Sequence, residues 1–313
     1  MSEIVLAGAG LVTAFGNLPA TLEALRAGRR IEGRPVEIFS ESGSAFFLAG
    51  PDPPAVLPDL PAFRKMQKYM SAQALLAAAA AREALEAARP LEKGFAPERI
   101  GLFAGTGLAA ADPQAGAEIL TASLDEKGCF SPALFSARGL SSVNPLRSFQ
   151  TLANMPACII SVLEGIKGES AIYCPLEDGT ARAVIEAVLA LEAGRVDLAL
   201  AAAADTPNRP SNLGELAQAG YLRPEETAAA AGGALVLARK GEGGYDGPVF
   251  RNFQLRRTAP GRPFDPLSAR LGRTAAAAPI ILAVLSALAP ELALEKRIAG
   301  SQGHELSFEA APR

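Results

Sequence analysis

Two side chains of this 313-residue sequence could support nucleophilic or acid–base chemistry: a cysteine and the only histidine. Cys174 follows an apolar run and precedes a helical stretch, and a thiol at a helix N-terminus can have a lowered pKa and act as a nucleophile. A small, inert, buried cysteine is the competing interpretation. Pro175 and Glu177 favour it, because proline removes a backbone donor and a nearby carboxylate disfavours the thiolate. Since no histidine lies within sequence reach, Cys174 is kept as the alternative nucleophile.

His304 is predicted to lie in a turn before the last strand, where it could act as a general base or be structural. Glu177 and Asp178 could form a carboxylate pair. Adjacent residues in a tight turn diverge, however, and capping of a helix by Asp178 explains the pair more simply. One histidine excludes a mechanism that needs two imidazoles and a histidine-rich metal site, so we expect no metal.

Gly8-Ala-Gly10 follows a short apolar run and resembles the start of a dinucleotide-binding loop. The fingerprint needs a third glycine three residues later, where this chain has Thr13. It also needs an acidic residue at the end of the next strand, and none stands in that context. We therefore interpret the two glycines as a tight turn and expect no cofactor.

The composition excludes several classes of protein. A net charge of −3 is too small for a clamp on nucleic acid or an anionic membrane, which needs clustered basic residues. No apolar run reaches the roughly 18 residues of a membrane span, and the N-terminus lacks the pattern of a signal peptide. Three cysteines without short paired spacing give neither a disulfide framework nor a zinc site. We expect a soluble, cytoplasmic protein.

The elements that must position these residues alternate between strands and helices. Continuous apolar runs predict buried strands at residues 3–8, 100–104, 171–173, 196–203, 234–238, 249–255 and 298–308. Helix formers, caps and breakers predict helices at 22–27, 68–88, 156–163, 180–193 and 277–287. Strands of this kind between helices imply an α/β protein whose sheets are covered on both faces. The polar, glycine-rich stretch 241–247 could separate two parts of the chain.

Several segments resemble the β-ketoacyl synthase family. They are residues 5–16, 100–107, 152–161 with 165–168, 232–237, and 272–274 with the helix that follows. The most specific is Asn154-Met155, because in that family Asn-Met, a helix and a Gly-x-x-Gly turn lead to the active-site strand. The resemblance implies a thiolase-like α/β fold with α/β/α/β/α layers. It implies one half at 1–240 and an abbreviated C-terminal half at 241–313.

A condensing enzyme of this family uses a cysteine nucleophile, and the resemblance does not assign that role to Cys174. The family's nucleophile precedes a helix-opening glycine by three residues, and counting back from Gly179 gives Leu176. Counting forward from Gly168 at the family spacing overshoots to Glu177, so this chain lacks about one residue in between, and neither count selects Cys174. Leu176 therefore stands at the expected nucleophile position, and no residue here is predicted to be catalytic.

The family's proton-transfer groups are replaced as well. The histidine of its Gly-His-Thr motif corresponds to Arg273, and the accompanying lysine to Ser268. The glycine-rich Phe-Gly-Phe-Gly-Gly loop is replaced by residues 299–303. Because loss of a nucleophile alone can lower a rate on the order of 10⁶-fold, we predict that the chain is not an enzyme by itself.

The family pairs active and inactive copies in polyketide synthesis, and the inactive copy is called a chain-length factor. The resemblance implies such a subunit, in a heterodimer with a catalytic β-ketoacyl synthase that supplies the residues for catalysis and for docking of acyl carrier protein. No nucleic acid or membrane partner is implied. The abbreviated second half suggests partners of ketosynthases that make aryl polyenes or related unsaturated chains.

The partner-facing segment in the family precedes Asn-Met, which corresponds here to residues 144–152. Leu146 and Arg147 fall where the family has gate residues of its acyl tunnel. The other predicted interface residues are Phe149, Leu152, Asn154 and Met155. Burial of each methylene contributes about 0.8 kcal/mol, so a bulky side chain at the tunnel end can limit chain length. The competing interpretation is that Leu146 and Phe149 belong to the ordinary core.

Overall fold

The computed structural model describes residues 3–40, 43–55, 57, 61–108, 113–142, 146–292 and 294–311. Its strands are β1 (Ile4–Val12), β2 (Arg34–Ser40), β3 (Gly43–Ala49), β4 (Ile100–Thr106), β5 (Ser170–Tyr173), β6 (Leu198–Asp205), β7 (Thr227–Ala228), β8 (Ala231–Arg239), β9 (Val249–Arg257), β10 (Arg297–Ala299) and β11 (His304–Ala311). Its α-helices are α1 (Leu18–Arg26), α2 (Pro61–Met66), α3 (Ala72–Ala88), α4 (Pro113–Ala122), α5 (Pro132–Leu134), α6 (Arg147–Gln150), α7 (Met155–Glu164), α8 (Leu176–Glu192), α9 (Pro210–Gln218), α10 (Ser268–Leu271) and α11 (Ala278–Leu288).

The described strands form a large sheet and a small one. The large sheet has the order β10-β11-β9-β1-β8-β6-β4-β5, and the small sheet the order β2-β3-β7. Strands β4, β5 and β6 are parallel, whereas β8 is antiparallel to both β6 and β1. Strands β1 and β9 pair only through Ile4 with Phe250 and Val5 with Val249. The large sheet therefore consists of five strands and three strands joined by a short seam.

Helices cover the five-stranded part on both faces. Helices α3 and α7 pack on one face through a core rich in alanine, isoleucine and leucine. On the other face α8 and α11 share a second core with β9 and β11, to which Leu191, Ile281 and Phe308 belong. The far side of β9 and β11 carries the exposed Gln254 and Glu309. This face of β9 and β11 is therefore polar and exposed to solvent.

Strand β1 and helix α3 approach so closely that two positions must be glycine. A Cβ on Gly8 would lie 2.2 Å from the carbonyl oxygen of Ala84, and a Cβ on Gly10 would lie 2.1 Å from that of Ala80. Both glycines lie inside β1, so the prediction of a tight turn is wrong. The spacing that resembles a nucleotide-binding loop instead allows contact between an alanine-rich helix and a strand.

Replacement of Gly10 with alanine is expected to destabilise the protein by about 1–3 kcal/mol, because the helix backbone cannot yield as a side chain would. The free energy of unfolding in urea measures the loss. Gly116→Ala is the control, since its Cβ would meet no atom within 4 Å in an exposed helix. That change is expected to be neutral or to stabilise by up to about 1 kcal/mol. An equal loss in both variants would contradict the explanation.

The predicted elements match the observed ones within a few residues, with two differences that concern the site. The helix predicted at 180–193 begins four residues earlier, at Leu176, so the segment after Pro175 is already helical. The strand predicted at 298–308 is two strands, β10 and β11, separated by a turn at 300–303. His304 therefore begins a strand, and its predicted place in the turn is wrong. No described helix has the length and apolar character needed to cross a membrane.

Candidate functional site

The chain turns sharply from β5 into α8, and we call residues 174–178 the elbow. Leu176 opens α8 with φ at 56°, a left-handed conformation that costs roughly 1–2 kcal/mol for a residue with a Cβ. A Cβ on Gly179 would lie 2.7 Å from the carbonyl oxygen of Tyr173, so glycine lets the helix start this close to the strand. Leu176, the position at which the family spacing predicts the nucleophile, thus lies at the apex of the elbow.

The side chain of Leu176 is buried in hydrocarbon. It is 3% exposed and belongs to a small apolar cluster between the small sheet and α9. Other members are Phe47 of β3, Leu213 of α9 and Ala275, which precedes α11. A leucine has no atom that can attack a thioester. At the position expected for the nucleophile, the chain therefore has packing and no reactive group.

Cys174 lies at the end of β5 and is exposed. Its sulfur lies 2.8 Å from the hydroxyl oxygen of Thr106. The single histidine is engaged elsewhere: Nδ1 of His304 lies 3.1 Å from Asp178 Oδ1, and Nε2 lies 2.8 Å from Arg182 Nη2. Both ring nitrogens therefore contact groups of α8, and the structure does not bring the imidazole to Cys174 as a base.

Arg273, which was predicted to stand at the position of a family histidine, is a buried residue with structural contacts. Its guanidinium donates to the carbonyl oxygen of Pro263 at 3.1 Å and pairs with Glu226 at 3.2 Å. Its backbone N–H donates to the carbonyl oxygen of Thr227 at 2.7 Å. These contacts fasten the segment before α11 to β7. Because a guanidinium stays protonated in proteins and has no acceptor, Arg273 cannot take a proton from a substrate.

Three buried carboxyls lie near the elbow and interact electrostatically with one another or with Arg273. Burial raises the pKa of Glu177 to about 8, of Asp205 to about 7 and of Asp265 to about 6. Asp205 also accepts hydrogen bonds from the backbone N–H groups of Thr206 and Ala276. Sequence analysis missed Asp205 and Asp265. The available signal for Asp205 was an acidic residue ending a continuous apolar run.

These carboxyls are not arranged as a metal site. Among the described residues, no three His, Cys, Asp or Glu side chains form a group that could hold a metal ion. One oxygen of Glu177 and one of Asp265 are buried without a hydrogen-bond partner. A buried oxygen without a hydrogen-bond partner disfavours the charged form of its carboxyl group, which agrees with the raised pKa values of Glu177 and Asp265.

Asp178 does not cap α8, and that prediction is wrong. The helix begins at Leu176, so Asp178 lies inside its first turn. Its carboxylate instead accepts the backbone N–H groups of Gln302 and His304. The neighbouring Glu177 interacts with the buried carboxyls and Arg273. The two adjacent acidic side chains therefore diverge, as expected, but neither caps the helix.

Phe149 and Leu152, predicted at the partner-facing segment, are surface residues. They are 42% and 47% exposed, so the interpretation of Phe149 as ordinary core does not hold. The ring of Phe149 packs edge-on against Tyr69, with centroids 5.6 Å apart. Phe149 belongs to the short helix α6, so this pair gives the helix an exposed apolar surface.

The other predicted interface residues differ in burial. Leu146 is half-buried, Asn154 is exposed at the start of α7, and Met155 is buried in that helix's first turn. Arg147 begins α6, and its side chain lies outside the described part of the chain. Residues 143–145, which include the predicted start of the segment, also lie outside it.

Comparison with known proteins assigns the family. The profile of the family described as "Beta-ketoacyl synthase, N-terminal domain" matches residues 55–243, more than half of the chain. The chain therefore belongs to the β-ketoacyl synthase family. No curated protein sequence matches it.

Solved structures share the fold. A type II polyketide synthase acyl-carrier protein in complex with its ketosynthase (AntDE:AntF) gives a TM-score of 0.71 at 13% identity, covering 100% of this chain and 99% of that one. The ishigamide ketosynthase/chain length factor gives 0.69 at 16% identity, covering 100% and 99%. The ketosynthase ApeO in complex with its chain length factor ApeC from Xenorhabdus doucetiae gives 0.61 at 17%, covering 86% and 65%. The predicted α/β, thiolase-like fold is thereby confirmed.

Proposed function

We propose that this chain is a non-catalytic ketosynthase-like subunit of the chain-length-factor kind, which pairs with an active β-ketoacyl synthase and shapes its acyl tunnel. The observation that carries the proposal is Leu176, buried in hydrocarbon at the apex of the elbow. Arg273, engaged with Glu226 where a base is expected, supports it. A chain with neither nucleophile nor base depends on a second polypeptide for condensation.

The segment 241–313 is, in this proposal, a shortened counterpart of 1–240. From the seam outward, the first part runs β1, β8, β6 and the second part runs β9, β11, β10. Within each set of three, neighbouring strands are antiparallel. The third strand of each set follows a long helix in the sequence: β6 follows α8, and β10 follows α11. The second part has no described counterparts of β4 and β5. In the same proposal, the partner belongs to the ketosynthases that make aryl polyene or related unsaturated chains.

The surface near β5 supports a partner on this side. Strand β5 is an edge strand: β4 pairs with one side, and no described strand pairs with the other. Ile172 on this strand is an exposed large apolar side chain, as are Phe149 and Leu152 in the predicted partner-facing segment. An open edge with exposed apolar side chains is typical of an interaction surface. Phe149 and Leu152 are the side chains with which this subunit would border the partner's tunnel.

An active ketosynthase is a better candidate for the partner than a second copy of this chain. A pair of identical copies would have two elbows and no nucleophile at either apex. Acyl carrier protein would then bind through the complex. Co-expression with a ketosynthase encoded beside this chain tests the proposal. A stable 1:1 complex by light scattering is expected, and a well-behaved monomer that binds no neighbouring ketosynthase would overturn it.

Ile172→Asp is expected to weaken that complex at least 100-fold in Kd, because it places a charge on the exposed face of edge strand β5. Titration by calorimetry or interferometry measures the change. Leu189→Asp is the matched control, since Leu189 is similarly exposed but lies on α8, and its complex is expected to be unchanged. Equal weakening by both variants, or by neither, would contradict the assignment of the surface.

A second candidate function is an acyltransferase or condensing enzyme that uses Cys174, and the exposure of this thiol beside Thr106 favours it. Mass spectrometry after incubation with acyl-CoA or acyl carrier protein separates the two functions. A stable adduct on Cys174 supports the enzyme. Absence of an adduct, together with activity only in the presence of a ketosynthase, supports the subunit.

A further inference from the structure

The turn at 300–303 is fastened to the first turn of α8 by one buried carboxylate. Asp178 accepts hydrogen bonds from the backbone N–H of Gln302 at 3.0 Å and of His304 at 2.9 Å. Its side chain is 4% exposed. A Cβ on Gly300 would lie 2.1 Å from Asp178 Oδ2, so the turn fits this closely only with glycine at that position. A first-half helix and a turn near the end of the chain are thereby held together.

The imidazole of His304 is held from two sides by the same helix. Nδ1 lies 3.1 Å from Asp178 Oδ1, and Nε2 lies 2.8 Å from Nη2 of Arg182, one helical turn further along α8. A guanidinium can only donate hydrogen bonds, so Nε2 must be the acceptor. The neutral ring then carries its proton on Nδ1, and this N–H donates a hydrogen bond to Asp178.

We propose that Asp178, Arg182 and His304 form a latch that keeps the turn 300–303 closed against the elbow, with His304 fixed as the Nδ1–H tautomer. Opening the turn would remove three hydrogen bonds from a buried carboxylate and leave its charge without those partners, which is strongly unfavourable. The turn is therefore a fixed closure of the elbow in the isolated chain, and it does not act as a gate. The latch rests on contacts within this chain and is independent of the proposed function.

Hydrogen exchange in the full chain tests the latch. In Asp178→Asn, the amides of residues 302–304 are expected to exchange at least tenfold faster than in the unaltered protein. Asp125→Asn is the matched control, because Asp125 also accepts two backbone N–H groups, those of Lys127 and Cys129, in an exposed turn. It is expected to leave exchange at 302–304 unchanged. Unchanged exchange in Asp178→Asn would overturn the latch.

A measurement on the unaltered chain decides the question even if Asp178→Asn does not fold. Because His304 is the only histidine, two-bond ¹H–¹⁵N correlation at pH 8 reports its tautomer without assignment of other residues. The latch predicts a pure Nδ1–H pattern, and Arg182→Met is expected to keep it, because the Asp178 carboxylate still accepts the hydrogen bond from Nδ1. An Nε2–H or averaged pattern in the unaltered chain would overturn the proposal.

Discussion

Replacement of Cys174 with serine is expected to leave the condensation rate of a reconstituted complex unchanged, whereas loss of the partner's catalytic cysteine lowers it on the order of 10⁶-fold. The reason is geometric. The sulfur of Cys174 contacts the hydroxyl of Thr106, while both nitrogens of the only imidazole contact Asp178 and Arg182. The only imidazole is therefore not positioned to activate this thiol. Initial rates with acyl- and malonyl-loaded carrier protein measure the effect.

Leu176→Cys completes this experiment. It places a thiol at the apex of the elbow, but Arg273, at the predicted position of a family histidine, pairs with Glu226 and cannot accept a proton. We therefore expect Leu176→Cys to give no condensation with a partner that lacks its cysteine. If Cys174→Ser were as damaging as loss of the partner's cysteine, the second candidate function would replace the first.

The fold could be predicted where local sequence decides the structure. Residues 100–104, 196–203 and 234–238 are continuous apolar runs, and they became β4, β6 and β8 in the centre of the large sheet. Asn17 caps α1, because its side chain accepts the N–H of Ala20, and asparagine just before a helical stretch is a typical cap in a sequence. These features depend on neighbours within a few residues, which a sequence displays directly.

The small sheet and the apolar cluster around Leu176 could not be predicted in this way. Strand β2 mixes exposed and half-buried residues, and in the apolar run 45–49 of β3 only Phe47 and Ala49 are buried, so burial in the small sheet does not follow from the run itself. Phe47, Leu213 and Ala275 come together on Leu176 only after the chain has folded. Sequence spacing identified the position of Leu176, but its burial depends on these distant segments.

The same limit applies to His304. Its partner Asp178 is 126 residues away, and the turn at 300–303 that brings them together lay inside a run that resembled one strand. The Gly-Ser-Gln-Gly sequence at 300–303 indicated the turn near His304, but the predicted strand at 298–308 ran across it. The contact between Asp178 and the backbone of Gln302 had no sequence signal, because a backbone N–H is present at almost every position.

The stability of the chain is expected to fall as the pH rises from about 4.5 to about 8, and Glu177→Gln is expected to remove much of this dependence. Burial raises the pKa of Glu177 from 4.5 to about 8 in the folded chain. Between these values the folded state binds a proton that the unfolded state has released, so stability decreases with rising pH. At 1.36 kcal/mol per pKa unit, the loss is on the order of 5 kcal/mol above pH 8.

Asp205 and Asp265, with pKa values raised to about 7 and about 6, act in the same direction and leave a residual slope in Glu177→Gln. Urea unfolding at pH 5, 7 and 9 measures the dependence. Glu192→Gln is the control, because Glu192 is exposed at the other end of α8 and is expected to keep the full slope. A slope in Glu177→Gln equal to that of the unaltered chain would mean that Glu177 is charged in the folded state. The elbow would then hold a buried negative charge beside Leu176, and the explanation of its inertness by apolar packing would no longer hold.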